Sequence, residues 1–346
     1  MRITSASATP IDIRLSEAVP TGAGGIGDRG GMRISVGAGD FTGVGETAPI
    51  PGQPGPKLET LASELSNWCN TATDLTVEDA LAKLDDDDHS VLTRFALHTA
   101  LIDLQARADD MSLSQSLRQG AATRVRVNGL ISETSPAAVH ARAIQLVDQG
   151  IPAIKLKVGA ADHSLDITRI VAASEAAGSE VELRLDANGA WTVDAAARII
   201  GRVGKHRVSY IEDPTSDRSE FAALAKETGV AVAIDLEATS DPDEAIQAAG
   251  VDTVVVKPAA LGGIDRVLSL AERHPNHRIV ISSSIDREIG LSVAVHAAAT
   301  LAPTSGPHGL ATGRLIRGMD PALLDVAGAV RVPAGPGVWN EVPEED

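Results

Sequence analysis

The sequence predicts an α/β protein, a modified (β/α)8 barrel preceded by a smaller α+β domain. Three observations predict it. Short apolar runs rich in Val and Ile recur at 153–158, 181–185, 208–211, 230–234 and 253–256. Such runs suit parallel strands covered on both faces. A charged residue lies in or just after each run, and the steps are regular: Asp186 to Glu212 is 26 positions, Glu212 to Asp235 is 23, and Asp235 to Lys257 is 22. A strand, a helix and two short loops need about that length. Residues 1–115 lack this beat. Charges at the carboxyl ends of consecutive parallel strands converge on one mouth, where such a barrel carries its active site.

In chain order, 3–15 alternates loosely and is expected to be a strand. The stretch 24–31, Gly-Gly-Ile-Gly-Asp-Arg-Gly-Gly, reads as a flexible glycine-rich loop. Two more strands, at 32–36 and 41–47, flank a turn at 37–40, so a small antiparallel sheet is predicted. A Pro- and Gly-rich loop fills 49–56. Helices are expected at 59–67, 77–84 and 91–108, the last with Leu92, Phe95, Ala96, Ala100, Leu101 and Leu104 on one stripe.

The barrel is expected over 116–317. Its first strand is placed at 125–131 and its first helix at 137–148, closed by Gly150. The strand at Lys155 follows, then helices at 167–176 and 192–203, the second with Thr192 as N-cap. A seventh strand is expected at 278–283 and a weak eighth at 306–310. The tail, 318–346, is rich in Pro and Gly and is expected to return to the N-terminal domain.

Composition narrows the function. With 346 residues the chain can bury a large core. Aromatics are only 2%, so that core must be Ala, Val, Leu and Ile. A net charge of −17 argues against a nucleic-acid or anionic-membrane surface. No run reaches membrane-spanning length. The single Cys69 allows no internal disulfide, and the first residues lack the apolar core of a signal peptide. A cytoplasmic protein is expected.

Asp186, Glu212 and Asp235 carry the central chemistry. Three carboxylates on adjacent strand ends repel one another without a cation, and three hard oxygen ligands with open positions suit Mg²⁺. The plain alternative is a set of helix N-caps. Lys155 and Lys157 lie two apart on one strand, so their side chains share a face. Inside a barrel a lysine is costly unless paired or functional. A nearby metal and a second ammonium both lower a lysine's pKa, as a general base requires. The plain alternative points both outward, under the helices. Lys257 follows Val254, Val255 and Val256 and is expected to face Lys157 across the mouth, unless it snorkels to the surface. Asn188 shares a face with Asp186 and is read either as a contact to the metal site or as a turn residue before Gly189.

This constellation resembles the enolase superfamily, and within it the muconate-lactonising-enzyme subgroup. The resemblance spans nearly the whole chain. It implies an enolase-type (β/α)7β barrel under an N-terminal α+β capping domain, with 24–31 as the lid loop. It implies Mg²⁺, with Mn²⁺ as an alternative, on Asp186, Glu212 and Asp235. Lys157 becomes a base on one face of a small carboxylate substrate, with Lys155 beside it and Lys257 on the opposite face. Ser282-Ser283-Ser284-Ile285-Asp286, Gly290-Leu291 and His308-Gly309-Leu310-Ala311-Thr312 are most similar to the o-succinylbenzoate synthase family. Ser283, Ser284, Asp286 and Gly309 are then expected beside the metal or the substrate. Two departures stand out: Leu236 follows Asp235 where relatives usually carry Glu, which leaves the metal ligand intact, and Asp286 stands where Glu is common, which either alters the surroundings of the site or leaves Glu288 in doubt as a substitute.

The implied reaction is Mg²⁺-assisted syn dehydration of 2-succinyl-6-hydroxy-2,4-cyclohexadiene-1-carboxylate to 2-succinylbenzoate, through an enediolate, in menaquinone biosynthesis. The alternatives are an N-succinyl amino acid racemase or dipeptide epimerase, with proton exchange between Lys157 and Lys257, then muconate cycloisomerase. The Asp-x-Asp that epimerases carry late in the barrel is absent from that region. A silent barrel acting as a binding protein is the non-enzyme alternative, and a homo-oligomer is compatible with any of these. Among weaker candidates, Asp85-Asp86-Asp87-Asp88 reads as a solvated run, His308 as structural, and Cys69 as unreactive. The glycine-rich stretch 24–31 does not follow a strand-to-helix pattern, so it is not a nucleotide loop.

Overall fold

The structure, a computed structural model, describes residues 1–16, 19–21, 24–86, 88–236, 241–301 and 305–339. The N-terminal region is α+β. Strands β1 (Ser5–Ile13), β4 (Arg29–Ala38) and β5 (Phe41–Thr47) form an antiparallel sheet in the order β1-β4-β5. Between β1 and β4, β2 (Val19–Thr21) and β3 (Gly24–Ile26) pair as a hairpin, with Val19 opposite Ile26. This corrects the expected loop at 24–31: it holds β3 and the first turn of pairing in β4, where Gly30 and Gly31 face Asp12 and Ile11. Gly31 is needed there for close approach, because a Cβ would meet the Thr47 carbonyl at 2.7 Å.

Helices α1 (Leu58–Ala72), α2 (Val77–Lys83), α3 (Val91–Ala108) and α4 (Leu113–Leu117) complete this part. The Ser90 hydroxyl caps α3 by accepting from the Thr93 amide. The single apolar stripe expected on α3 is too narrow. Ala96, Leu97, Ala100, Leu101 and Leu104 pack with Ile34 and Val36 in the cap's own core, whereas Phe95 and Ile102 join the barrel core. The helix is buried on both sides because it lies between the two units. Arg94 ties it to the barrel through the Gly262 carbonyl at 2.7 Å and Asp265 at 2.8 Å.

After β6 (Arg124–Arg126) the barrel runs β7 (Asn128–Ile131), α5 (Pro136–Asp148), β8 (Ala153–Lys157), α6 (His163–Ala177), β9 (Glu182–Asp186) and α7 (Val193–Val203). It continues with β10 (Tyr210–Glu212), α8 (Phe221–Thr228), β11 (Ala231–Leu236), α9 (Pro242–Ala249), β12 (Thr253–Val256), α10 (Pro258–Leu261), α11 (Ile264–Arg273), β13 (Arg278–Ile281) and α12 (Glu288–Thr300). Strands β7 to β13 form one seven-stranded parallel sheet in sequence order. Thr192 caps α7 as expected, accepting from the Ala195 amide. The predicted first strand splits. β6 leaves the barrel to pair antiparallel with β14 (Ala329–Arg331), and only β7 enters the parallel sheet.

The eighth strand is reduced to two single parallel bridges, Val127 with His308 and Ser282 with Gly309. Segment 306–310 thus touches both edges of the sheet without forming a ladder. The tail meets α3 and α4 as well as β6. The Val338 amide donates to Asp103 Oδ1 at 2.6 Å, and the Leu113 amide donates to the Gly337 carbonyl at 2.9 Å. Among the described residues no helix is long and apolar enough to cross a membrane.

Candidate active site

Parallel register brings the site together. Lys157 on β8 is level with Asp186 on β9, and Asp186 is level with Glu212 on β10. Alternation turns Ile154 and Leu156 into the core, and Lys155 and Lys157 to the other face. Asp186, Glu212 and Asp235 are 0%, 1% and 7% exposed. All three lysines point at them. Lys155 Nζ lies 2.8 Å from Asp186 Oδ2 and 2.7 Å from Glu212 Oε1. Lys157 Nζ donates to Asp186 Oδ2 at 2.6 Å and to Asn188 Oδ1 at 2.8 Å. Lys257 Nζ donates to Asp235 Oδ2. Lys157 and Lys257 therefore stand on opposite flanks of the carboxylate row, Lys155 at its centre.

Electrostatics follow from this crowding. Burial opposes the charge of Lys155, but Asp186 and then Glu212 outweigh it and hold the ammonium well above the ordinary lysine value. Burial likewise opposes Lys257, and Asp235 raises it. Burial also works against the Asp186 carboxylate, yet Lys155 and Lys157 bring it below the usual range. Glu212 is pushed up to about 7, first by burial, with Lys155 opposing and Asp186 and Asp235 adding repulsion.

Among the described residues, no three carboxylate, histidine or cysteine side chains stand together as a ready metal cluster. Each of the three carboxylates turns one oxygen to an ammonium instead. The residues nonetheless fit a hard cation. Glu212 Oε2 and Asp235 Oδ1 are buried with no hydrogen-bond partner among the described residues. Two carboxylate oxygens buried without a partner on adjacent strand ends are costly, and a divalent ion is the group that would satisfy both. Asp186 adds a third carboxylate, with Oδ1 accepting from the Asn188 amide at 3.2 Å.

Several supporting residues escaped the sequence reading. Asp213 lines the same cavity, and its Oδ1 accepts from the Asp235 amide at 3.1 Å. Burial, then Asp235 and Glu212, push it up to about 8. Its only signal was adjacency to Glu212. Asp166 accepts from the Gly159 and Ala160 amides and from Trp191 Nε1. Its partner Arg169 donates to the Lys157 carbonyl at 2.7 Å. That network fixes the end of β8 just where Lys157 projects. Arg184 fills the barrel beneath the site, over the Tyr210 ring at 5.2 Å and bonded to the Pro307 carbonyl at 2.8 Å.

Of the remaining predicted residues, Ser283, Ser284 and Gly309 line a cavity of about 730 Å³ that also holds the lysines, Asp186 and Asp235. Ser283 and Ser284 line it, with Ser283 Oγ 2.6 Å from Thr312 Oγ1. Gly309 lines it too and packs on Ser282 so closely that a Cβ would lie 2.8 Å from Oγ. Asp286 lies behind, accepting from the Ser284 amide at 2.9 Å, and burial raises its pKa. Glu288 is turned away from the carboxylate row to Arg287, at 3.2 Å. Leu236 is fully buried at the end of β11, and leaves Asp235 in place. Val19 and Ile26 of the cap hairpin cover the cavity from the other side.

The weaker candidates resolve plainly. His308 accepts from the Ile281 amide at 3.0 Å, and burial lowers it to about 3, so it is a neutral structural histidine. Asp85 is bonded to Arg94 and Arg266, each at 3.0 Å, and Asp87 lies outside the described residues. Burial raises the Cys69 thiol, which makes it a poor nucleophile.

Comparison with known proteins agrees with this architecture. The family profile described as "Enolase C-terminal domain-like" matches residues 138–345. The o-succinylbenzoate synthase of Thermobifida fusca (strain YX) is 33% identical over 209 residues, 58% of this chain and 66% of that protein. That of Shigella boydii serotype 18 is 30% identical over 325 residues, 92% of this chain and 90% of that protein. Among solved structures, the dipeptide epimerase of Enterococcus faecalis V583, complexed with Mg and the dipeptide L-Leu-L-Tyr, superposes with a TM-score of 0.85. It is 20% identical, covering 98% of this chain and 99% of its own. The chain belongs to the enolase superfamily, as an enzyme of its muconate-lactonising-enzyme subgroup.

Proposed function

We propose that the protein is an o-succinylbenzoate synthase, a lyase that dehydrates 2-succinyl-6-hydroxy-2,4-cyclohexadiene-1-carboxylate to 2-succinylbenzoate. The observation that carries this reading is the 30% identity over 92% of the chain to a synthase of that name. Asp186, Glu212 and Asp235 would hold Mg²⁺, with Asn188 beside them. When bound, the ion supplies positive charge next to the substrate carboxylate.

Lys157 takes the proton from the ring carbon that bears the carboxylate. The bond from the neighbouring carbon to its hydroxyl then breaks. The leaving oxygen collects a proton on the same face from the Lys157 ammonium and departs as water, which restores the amine. The ring becomes aromatic, which drives the reaction forward. Lys257, on the Asp235 flank, stabilises the developing negative charge and the ring by charge and cation–π contact. Lys155 holds Asp186 and Glu212 together. The β2–β3 hairpin acts as the lid, excluding water with Val19 and Ile26.

The second reading is a racemase or epimerase of N-succinyl amino acids or dipeptides. The observation that favours it is the opposed placement of Lys157 and Lys257, which suits a proton taken from one face and returned on the other. Turnover of the cyclohexadiene precursor, run beside a panel of N-succinyl amino acids and dipeptides in deuterated water, decides between them. Release of 2-succinylbenzoate with no α-deuterium in the recovered panel compounds supports the synthase. Deuterium exchange without dehydration removes it.

A further inference from the structure

Arg29 opens β4 where the capping sheet meets the barrel, and it is 7% exposed. Its Nη2 donates to the Ser284 carbonyl at 2.8 Å and to the Ile285 carbonyl at 2.7 Å. Its Nε and Nη1 are buried without a partner among the described residues. A guanidinium taken out of water with two nitrogens unpaired is unfavourable. The two carbonyl contacts, and the nearby Asp286 charge, are the compensation present.

The segment it grips is strained. Ile285 has φ of +60°, a region that a β-branched residue rarely enters. Inside the barrel the turn is held by the Ile285 amide on Ser283 Oγ at 3.2 Å and the Ser284 amide on Asp286 Oδ2 at 2.9 Å. Arg29 is the grip from the cap. Next to it, Arg287 Nη1 reaches the Asp12 carbonyl of β1 at 3.3 Å, so the same turn is stitched to the sheet twice. Ser283, Ser284 and Ile285 form a wall of the cavity, and Ser284 also borders a smaller pocket with Lys257.

We propose that Arg29 is a positioning residue: by holding the Ser284 and Ile285 carbonyls it keeps the strained turn in the shape that walls the site beside Lys257. Docking of the capping domain is thereby read directly into the geometry of the barrel mouth. Strain at a functional wall persists only where surrounding contacts over-determine it, and Arg29 is the side chain by which the second domain holds the Ser284 and Ile285 carbonyls.

The test is a pair of backgrounds. Arg29→Met keeps the apolar stem and removes both hydrogen bonds to the turn. Ile285→Gly lets the turn adopt a positive φ without strain. Arg29→Met is expected to lower kcat/KM at least about tenfold in the native background and less than about threefold in the Ile285→Gly background, because the two positions are coupled. Backbone amides of 284–290 should exchange faster with deuterium in Arg29→Met alone, which gives a readout whichever substrate is turned over. The Mg²⁺-induced rise in Tm should be unchanged, because the carboxylates lie on other strands. An equal loss in both backgrounds, or no change in rate and exchange in the native one, overturns the assignment. If Arg29→Met alone does not fold, folding of the double variant supports it and failure of both overturns it.

Discussion

Lys155 Nζ lies 2.7 Å from Glu212 Oε1, while Oε2 of the same carboxylate is buried with no partner among the described residues. One ammonium therefore satisfies half of this carboxylate and leaves the other half bare, and on the neighbouring strand Asp235 Oδ1 is likewise buried with no partner among the described residues. A cation there would complete both carboxylates and separate their charges. Mg²⁺ is accordingly expected to raise Tm. At a hundredfold excess over Kd the stabilisation is about 2.7 kcal/mol. Glu212→Gln and Asp186→Asn should each remove most of that rise and abolish turnover while leaving the far-UV spectrum intact. Thermal unfolding with and without Mg²⁺ checks this, and an unmoved Tm in the unmutated protein defeats the metal assignment.

Strand β5 approaches α3 closely enough that side chains are excluded. A Cβ at Gly45 would lie 2.0 Å from the Ala96 carbonyl oxygen, a backbone atom that cannot step aside. Gly45→Ala should destabilise the protein by about 1–3 kcal/mol or more, as overpacking does. A Cβ at Gly201, in the last turn of α7, would meet nothing within 4 Å. Gly201→Ala should instead stabilise, by at most roughly 0.5–1 kcal/mol, through helix propensity. Denaturant midpoints of the two variants should move in opposite directions.

Much of the site was legible because strand periodicity and strand-end charge report the same geometry. Asp186, Glu212 and Asp235 each close an apolar run, and Lys155 and Lys157 share a face through simple alternation. What supports them was not legible. Arg29 sits in a glycine-rich stretch that reads as a loop, because its partners are carbonyls 255 and 256 residues away. Arg184 reads as an ordinary strand charge, yet it fills the barrel over Tyr210. The eighth strand offers little to reveal it, since among the described residues of that segment His308 and Gly309 alone make bridges. The pattern on α3 reads as one face, because periodicity alone does not tell which apolar residues meet the cap and which, like Phe95 and Ile102, meet the barrel.

His296 is fully buried on α12. Its Nδ1 accepts from the Ser114 amide at 3.2 Å, and Nε2 lies 3.0 Å from the Val338 carbonyl, so it joins α4 to the tail. Burial lowers it to about 4 from the ordinary 6.5. Between those values the unfolded chain binds a proton that the folded chain refuses. Its contribution to stability is thus intact above pH 6.5 and declines as pH falls toward 4. His296→Gln offers a neutral acceptor and donor that do not titrate. Over that window its unfolding free energy should depend on pH less steeply than the unmutated protein's, by up to about 1.4 kcal/mol per pH unit. Urea melts at pH 7, 6 and 5 measure the slopes, and parallel slopes would show that His296 is not the group involved.

The two flanking lysines separate the dehydratase from a two-base enzyme. If Lys157 is the sole base, Lys157→Ala should remove dehydration by at least the roughly 10²–10⁴-fold expected of general base catalysis. Lys257→Ala should also be severe, for a different reason: it removes the positive charge from that flank and leaves the buried Asp235 without its ammonium partner. Lys257→Arg keeps the charge and removes an effective base, because a guanidinium stays protonated at any ordinary pH. A dehydratase should therefore retain measurable activity as Lys257→Arg, since on that flank it asks only for charge. A racemase should lose turnover, because the proton on that face then has no acceptor and the substrate no donor. The readout is 2-succinylbenzoate formed from the cyclohexadiene precursor, with deuterium exchange into N-succinyl amino acids run in parallel. Exchange that needs both lysines, in a protein that forms no 2-succinylbenzoate, would assign Lys157 and Lys257 as an opposed acid–base pair and replace the synthase with the racemase.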